Sequence, residues 1–323
     1  MSGMKGTLRL ALVTVLLVAC GGAATTAPSP TAPTTAPSAT ETPSRTASSP
    51  PMSKGPVQTV TYCTDGGTPL AMDILLPSPR PTAPAPAVIY VHGGGWEHGS
   101  KAGGGFLEQL RPQLNAKGFV VASIDYRLAP ADKWPAQIVD AKCAVRYLRA
   151  HASTYGIDAQ RIGVWGGSAG GHLVSLMGTA DASAGFDVGE WASESSRLQA
   201  VVDLFGPADL TVSAWPSDAT KVITDVFGVA PGSASDTLSN ASPVTWISRD
   251  DPPFLILHGD ADQTVPASQS QEFAAKLQSA GVTATLVMVH NGPHGLANPK
   301  EQPAPDQLVA MIVDFFSRAL SKA

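Results

Sequence analysis

Three short stretches of this 323-residue chain hold residue types that together can perform acyl transfer. The first is Arg161-Ile-Gly-Val-Trp-Gly-Gly-Ser-Ala-Gly-Gly-His172, which places Ser168 inside Gly166-x-Ser168-x-Gly170. Ile162, Val164 and Trp165 read as a buried strand, and Leu173, Val174, Leu176 and Met177 continue at helical spacing. A strained strand-to-helix turn of this kind lifts a serine hydroxyl above a sheet, and its glycines admit backbone that a Cβ would block. The second stretch, Phe254-Leu-Ile-Leu-His258-Gly-Asp260-Ala-Asp262, ends a strand on two carboxylates, either of which can orient a histidine. The third, after a strand over 283–289, is His290-Asn-Gly-Pro-His294-Gly-Leu, with two imidazoles able to act as base. A fourth element, His92-Gly93-Gly94-Gly95-Trp96, follows the apolar run 87–91, and its glycines free consecutive N–H groups to face an anion.

Elements of alternating type must position these groups. Val57–Tyr62 and Leu70–Leu76, joined by Asp65-Gly66-Gly67, read as an antiparallel start. Continuous apolar runs at 87–91, 119–124, 200–205 and 254–257 read as strands buried on both faces. Helical patterns at 106–116, 136–150, 268–279 and 308–320 lie between or after them. This alternation predicts an α/β fold, a mostly parallel central sheet with helices on both faces. In such sheets the active site gathers at the carboxyl ends of the strands, where all four stretches fall.

The residues preceding the domain read differently. Lys5 and Arg9 give a positive region before an apolar run, Leu10–Ala19, too short to span a bilayer. The run ends in Leu17-Val18-Ala19-Cys20, which resembles a bacterial lipobox. That resemblance implies a signal peptide over 1–19, lipidation of Cys20, and export to the outer face of a bacterial membrane. Residues 23–56 are Thr, Ala, Pro and Ser with almost no large apolar side chain, the composition of a disordered tether. At about 3.1 Å per residue it reaches at most ~100 Å. The catalytic domain is then 57–323. Export permits a disulfide, and Cys63 and Cys143 are the pair available once Cys20 is set aside. A net charge of -5 gives no footprint for nucleic acid. No Cys-x-x-Cys or His-Glu-x-x-His spacing offers a metal site.

Taken together, the stretches resemble the α/β-hydrolase esterases and lipases, near the hormone-sensitive-lipase-like and the feruloyl- or acetylxylan-esterase-like (BD-FAE-type) groups. Asp125-Tyr-Arg-Leu-Ala-Pro130 and Lys133-Trp-Pro-Ala136 also look like text of those families. The order Ser, Asp, His along the chain is that of α/β-hydrolases. The resemblance implies Ser168 as nucleophile, His294 as base and Asp262 as its partner, with Asp260 and His290 as the fallbacks. It also implies oxyanion donors at Gly94, Gly95 and Ala169, with His92 organising their loop. Carboxylic-ester hydrolysis through an acyl-enzyme, with no cofactor, follows as the expected activity. Amide or peptide hydrolysis on the same scaffold and a non-catalytic binding lipoprotein are the alternatives. The linker stands where hormone-sensitive-lipase relatives carry a helical N-terminal cap. Only 181–197 and 207–251 remain to roof the site, and neither reads as a long amphipathic helix. Short-acyl esters, or small-molecule and polysaccharide-linked esters with sugar or aromatic groups, are therefore the expected substrates. Trp96, Trp134, Trp191 and Trp215 are candidates for the rim.

Overall fold

A computed structural model describes residues 57–322. The lipobox, Cys20 and the low-complexity tether lie outside the described residues. Two antiparallel strands, β1 (Val57–Asp65) and β2 (Thr68–Leu75), turn at Gly66 and Gly67, both with positive φ. The alternating part then begins with β3 (Ala85–Val91), α1 (Phe106–Ala116), β4 (Val120–Ile124), α2 (Ala136–Ala150), the short α3 (Ala152–Tyr155), β5 (Ile157–Gly167) and α4 (Ala169–Thr179). It continues with β6 (Ala200–Leu204), α5 (Ser217–Phe227), α6 (Asp236–Ala241), β7 (Phe254–Gly259), α7 (Ser268–Ser279), β8 (Ala284–Val289) and α8 (Pro305–Ala319). Sheet order is β1-β2-β4-β3-β5-β6-β7-β8, parallel from β4 through β8.

Helices cover both faces because the strands are apolar on both. Along β3, Val88 and Tyr90 point into one core with Leu110, Leu114, Leu308 and Phe316 of α1 and α8. Ile89 and Val91 point into the other, with Ile138, Leu148, Leu173 and Phe273 of α2, α4 and α7. That is the two-residue period of a strand resolved into two cores. Register brings the chemistry together. Val91 pairs with Gly166, Gly166 with Asp203, Leu204 with Leu257, and Gly259 with Val289. The carboxyl ends of five strands are therefore level, and the segments that follow them start side by side.

Two expectations need adjusting. The segment 207–251 contains α5, an 11-residue helix that buries Ile223, Val226 and Phe227, so the roof does include an amphipathic helix. Ser217, Lys221 and Asp225 are exposed, and the polar residues of the helix mask the apolar stripe in composition. The tryptophans also separate. Trp96 and Trp215 line the pocket described below. Trp134 packs on Phe186 and Phe227, and Trp191 on Tyr147 and His151, so neither serves as a rim residue.

Cys63 and Cys143 are joined as a disulfide with a Cα–Cα distance of 6.6 Å. It pins the outermost hairpin, at the register shift between Thr61 and Cys63, to α2. The sequence separation is 80 residues. Closing a loop of that size in the unfolded chain is worth up to about 4.5 kcal/mol in the chain-entropy model. Native protein should take up no alkylating label at these positions until reductant is added, and Cys143→Ser should lower the unfolding midpoint. Two labelled thiols before reduction would contradict the bridge.

Candidate active site

Ser168 occupies the turn between β5 and α4 with φ 57° and ψ -123°, a backbone conformation L-residues rarely adopt. Its N–H donates to Leu204 O at 2.9 Å, and its carbonyl accepts from His172 N at 2.9 Å, so the turn is held on both sides. Gly170 shows why the motif needs glycine: a Cβ there would lie 2.2 Å from the Val91 carbonyl oxygen. The helix starts against the end of β3 with no room for a side chain.

The Ser168 hydroxyl lies 2.9 Å from His294 Nε2, and His294 Nδ1 lies 2.8 Å from Asp262 Oδ2. With Asp262 ionised, Nδ1 carries the proton and donates, which leaves Nε2 to accept from the serine. Phe205 meets the His294 ring edge-on at 4.8 Å between centroids. The Asp262 side chain is fully buried. Burial alone would raise its carboxyl, but hydrogen bonds from His258 and His294 and from Thr264 N outweigh it and hold the group well below the usual carboxylate range. Its Oδ1 accepts from Thr264 N at 2.8 Å and Val265 N at 3.0 Å.

Asp260 and His290 form a separate pair. His290 Nδ1 lies 2.8 Å from Asp260 Oδ2, and Asn291 N donates to Oδ1 at 2.7 Å. Both side chains are exposed, at 43% and 69%. The His290 hydrogen bond lowers the Asp260 carboxyl. This pair ties the two carboxyl-end loops together but does not contact Ser168 in any hydrogen bond described. The two carboxylates and two imidazoles left open by the sequence are thus sorted into one pair, with a buried carboxylate, that meets the serine and one solvated pair that does not.

Gly94, Gly95 and Ala169 all line the pocket onto which Ser168 and His294 open. His92 is buried beneath that glycine loop. Its Nδ1–H donates to Gly93 O at 2.7 Å, and its ring stacks on Tyr126 at 4.1 Å. Burial lowers its pKa, keeping it neutral. Trp96, at φ 59°, donates its Nε1–H to His172 Nδ1 at 3.2 Å, and His172 Nε2–H donates to Ala241 O at 2.7 Å. His172 is fully buried and pushed down to about 4 by desolvation. The glycine loop, α4 and α6 are therefore linked through one neutral imidazole.

The pocket has a volume of about 530 Å³. Leu204, Phe205, Trp215, Val222, Ile223 and Val265 are among its apolar lining, with α5 supplying part of it. Among the described residues no group of three or more His, Cys, Asp or Glu is placed to hold a metal ion.

Asp203, fully buried at the end of β6, supports the turn from below. Its carboxylate oxygens take Gly206 N at 2.9 Å and Ser175 Oγ at 3.0 Å. Desolvation pushes the group up to about 7 from 3.8, despite both hydrogen bonds. The folded protein thus keeps a proton that the unfolded chain releases. The group's contribution to stability is full below the unfolded value and is lost as pH rises to about 7, at about 1.4 kcal/mol per pH unit. Asp203→Asn should lack this slope, so its stability relative to wild type should climb between about pH 4 and 7. Urea midpoints over that range check it, and a pH-independent difference would contradict it.

His258, which the sequence offers only as the end of a strand, also belongs to this site. The ring is buried, with Nε2 3.3 Å from Asp262 Oδ2 and Nδ1 2.7 Å from Ser270 Oγ. The buried strand-end position carried a signal, since an imidazole there needs partners.

The chain is 34% identical over 212 residues to the esterase LipC of Mycobacterium tuberculosis, covering 64% of this chain and 52% of that protein. It is 36% identical over 200 residues to a probable carboxylic ester hydrolase, LipM, of the same organism, covering 61% and 46%. It spans about half the length of the curated relatives it matches. A solved structure of a truncated carbohydrate esterase from gut microbiota superposes with a TM-score of 0.72 at 31% identity, covering 84% of this chain and 99% of that one. A propionate-bound thermophilic esterase from Thermogutta terrifontis superposes with a TM-score of 0.67 at 27% identity, covering 85% and 98%. The fold is the α/β-hydrolase fold. A model of the BD-FAE family matches residues 72–277, which is more than half of the chain; the chain belongs to that family.

Proposed function

We propose that this protein is a serine carboxylic-ester hydrolase whose nucleophile, base and orienting acid are Ser168, His294 and Asp262. The observation that carries the reading is the unbroken hydrogen-bonded file from Ser168 Oγ through His294 to buried Asp262, opening on a pocket. Ser168 attacks the ester carbonyl while His294 Nε2 takes its proton. Asp262 holds the imidazole in the Nδ1–H form and stabilises the imidazolium. Negative charge on the tetrahedral oxygen meets the N–H groups of Gly94, Gly95 and Ala169, and the N-terminus of α4 adds its dipole. His294 returns the proton to the leaving alcohol, and water then resolves the acyl-enzyme by the same steps in reverse.

The wall of the pocket favours an uncharged, compact acyl or aromatic group. Each buried CH₂ gains about 0.8 kcal/mol while apolar wall lasts, and nothing beyond it. Trp215, Val222 and Ile223 contribute apolar wall, while the exposed Asp218 stands at the lining and disfavours anionic substrates. The esterase and carbohydrate-esterase names of its relatives support this class. Along a series of p-nitrophenyl esters, kcat/KM should peak at short acyl chains. A maximum at the long-chain end would overturn the substrate assignment.

A further inference from the structure

Asp262 carries a second histidine that the triad does not require. The tautomer of His258 follows from its neighbours. Its Nε2 faces two acceptors, Val265 O at 3.0 Å and Asp262 Oδ2 at 3.3 Å, so Nε2 bears the proton. Nδ1 is then a lone pair, and Ser270 Oγ, 2.7 Å away, donates to it. His258, Ser270 and the Asp262 side chain are all fully buried. The carboxylate therefore stands between two Ser–His arms: His294 Nδ1 donates to Oδ2 at 2.8 Å, and the His258 Nε2–H, bonded to Val265 O, lies 3.3 Å from the same oxygen. One arm, Ser168–His294, opens on the pocket. The other, Ser270–His258, is sealed between β7 and the first turn of α7.

We propose that His258 is a positioning residue whose Nε2–H, bonded to Val265 O and shared with the Asp262 carboxylate beside it, fixes that carboxylate in the orientation that aligns His294, with Ser270 locking the required tautomer. This rests on the triad reading above. The physical reason is that Oδ1 is held by two backbone N–H groups of its own loop, which leaves Oδ2 as the oxygen that must be aimed. A carboxylate held on one oxygen can still tilt. A buried donor on the second oxygen, itself braced by α7 and by the loop carbonyl, removes that freedom. His258 touches neither the nucleophile nor the pocket, since it is absent from the pocket lining.

The amides of glutamine and asparagine separate this role from mere packing. Glutamine presents an N–H at about the reach of the imidazole Nε2, and asparagine at about the reach of Nδ1. His258→Gln should keep the donor to Asp262, whereas His258→Asn should lose it while staying polar and smaller. The readout is inactivation by a fluorophosphonate ester, with its limiting rate separated from its binding constant. His258→Gln should retain the limiting rate within about fivefold. His258→Asn should lose about 10- to 100-fold with binding unchanged. Equal rates in the two variants, or an asparagine variant faster than the glutamine one, would overturn the proposal. Should His258→Asn not fold, Ser270→Ala carries the test: freeing Nδ1 should slow the limiting rate about three- to tenfold, and a wild-type rate would overturn it. Reaction of the wild-type protein in the same assay keeps the two claims apart. If wild type reacts and the variants do not rank as stated, this assignment alone falls. If wild type does not react, the triad reading falls and takes it along.

Discussion

Ser168→Ala should leave a folded protein whose ester turnover is lower by about three orders of magnitude or more, the scale set by loss of a triad nucleophile. Folding should survive for local reasons. The φ of 57° strains alanine no more than serine, and the backbone hydrogen bonds to Leu204 and His172 do not involve the side chain. The hydroxyl's hydrogen-bond partner is His294 Nε2, which opens on the pocket and is then free to meet water. Thermal unfolding should therefore be within about 0.5 kcal/mol of wild type, as for substitutions that bury no new unpaired group. Turnover near the wild-type level in the alanine variant would remove Ser168 from the chemistry altogether.

The second large effect distinguishes the two carboxylates. Asp262→Asn should lower kcat by up to about 10⁴-fold, because an amide facing Nδ1 favours the imidazole tautomer that cannot accept the serine proton. It also leaves a buried loop whose donors, Thr264 N, Val265 N and His258 Nε2, were arranged around a charge. Asp260→Asn should change kcat by no more than about threefold, since an exposed side-chain pair is worth little and the Asp260 pair lies apart from Ser168. Steady-state kinetics of the two variants side by side check the ranking. The reverse order would assign the orienting role to Asp260 and the base to His290.

Much of this site could be read from the chain because its parts are local. The turn at Ser168 is written in neighbouring glycines, and the strands over 87–91 and 254–257 are written in unbroken apolar runs. The helices Phe106–Ala116, Ala136–Ala150 and Ser268–Ser279 begin and end where their patterns do. The choice between Asp260 and Asp262 was not legible from spacing, because both follow the same strand by a few residues. What separates them is depth: one side chain turns inward under Val265, and the other stays in water beside His290. His258 was hidden for the same reason. Its relation to Asp262 is a loop folding back through Val265 O, and Ser270 arrives from another element. The short roof helix α5 is hard to see in the sequence because it is only 11 residues long and its apolar stripe of Ile223, Val226 and Phe227 sits in polar text. Short amphipathic helices gain their stability from the partner they cover, and that partner is not in the window that is read.

The measurement that bears most directly on the account is covalent trapping of the wild-type protein with a fluorophosphonate ester, followed by peptide mapping of the adduct. Ser168 should be the single phosphonylated residue, formed by folded but not by heat-denatured protein and absent from Ser168→Ala. An adduct on another residue, or folded protein that hydrolyses esters while Ser168 stays unmodified, would contradict it.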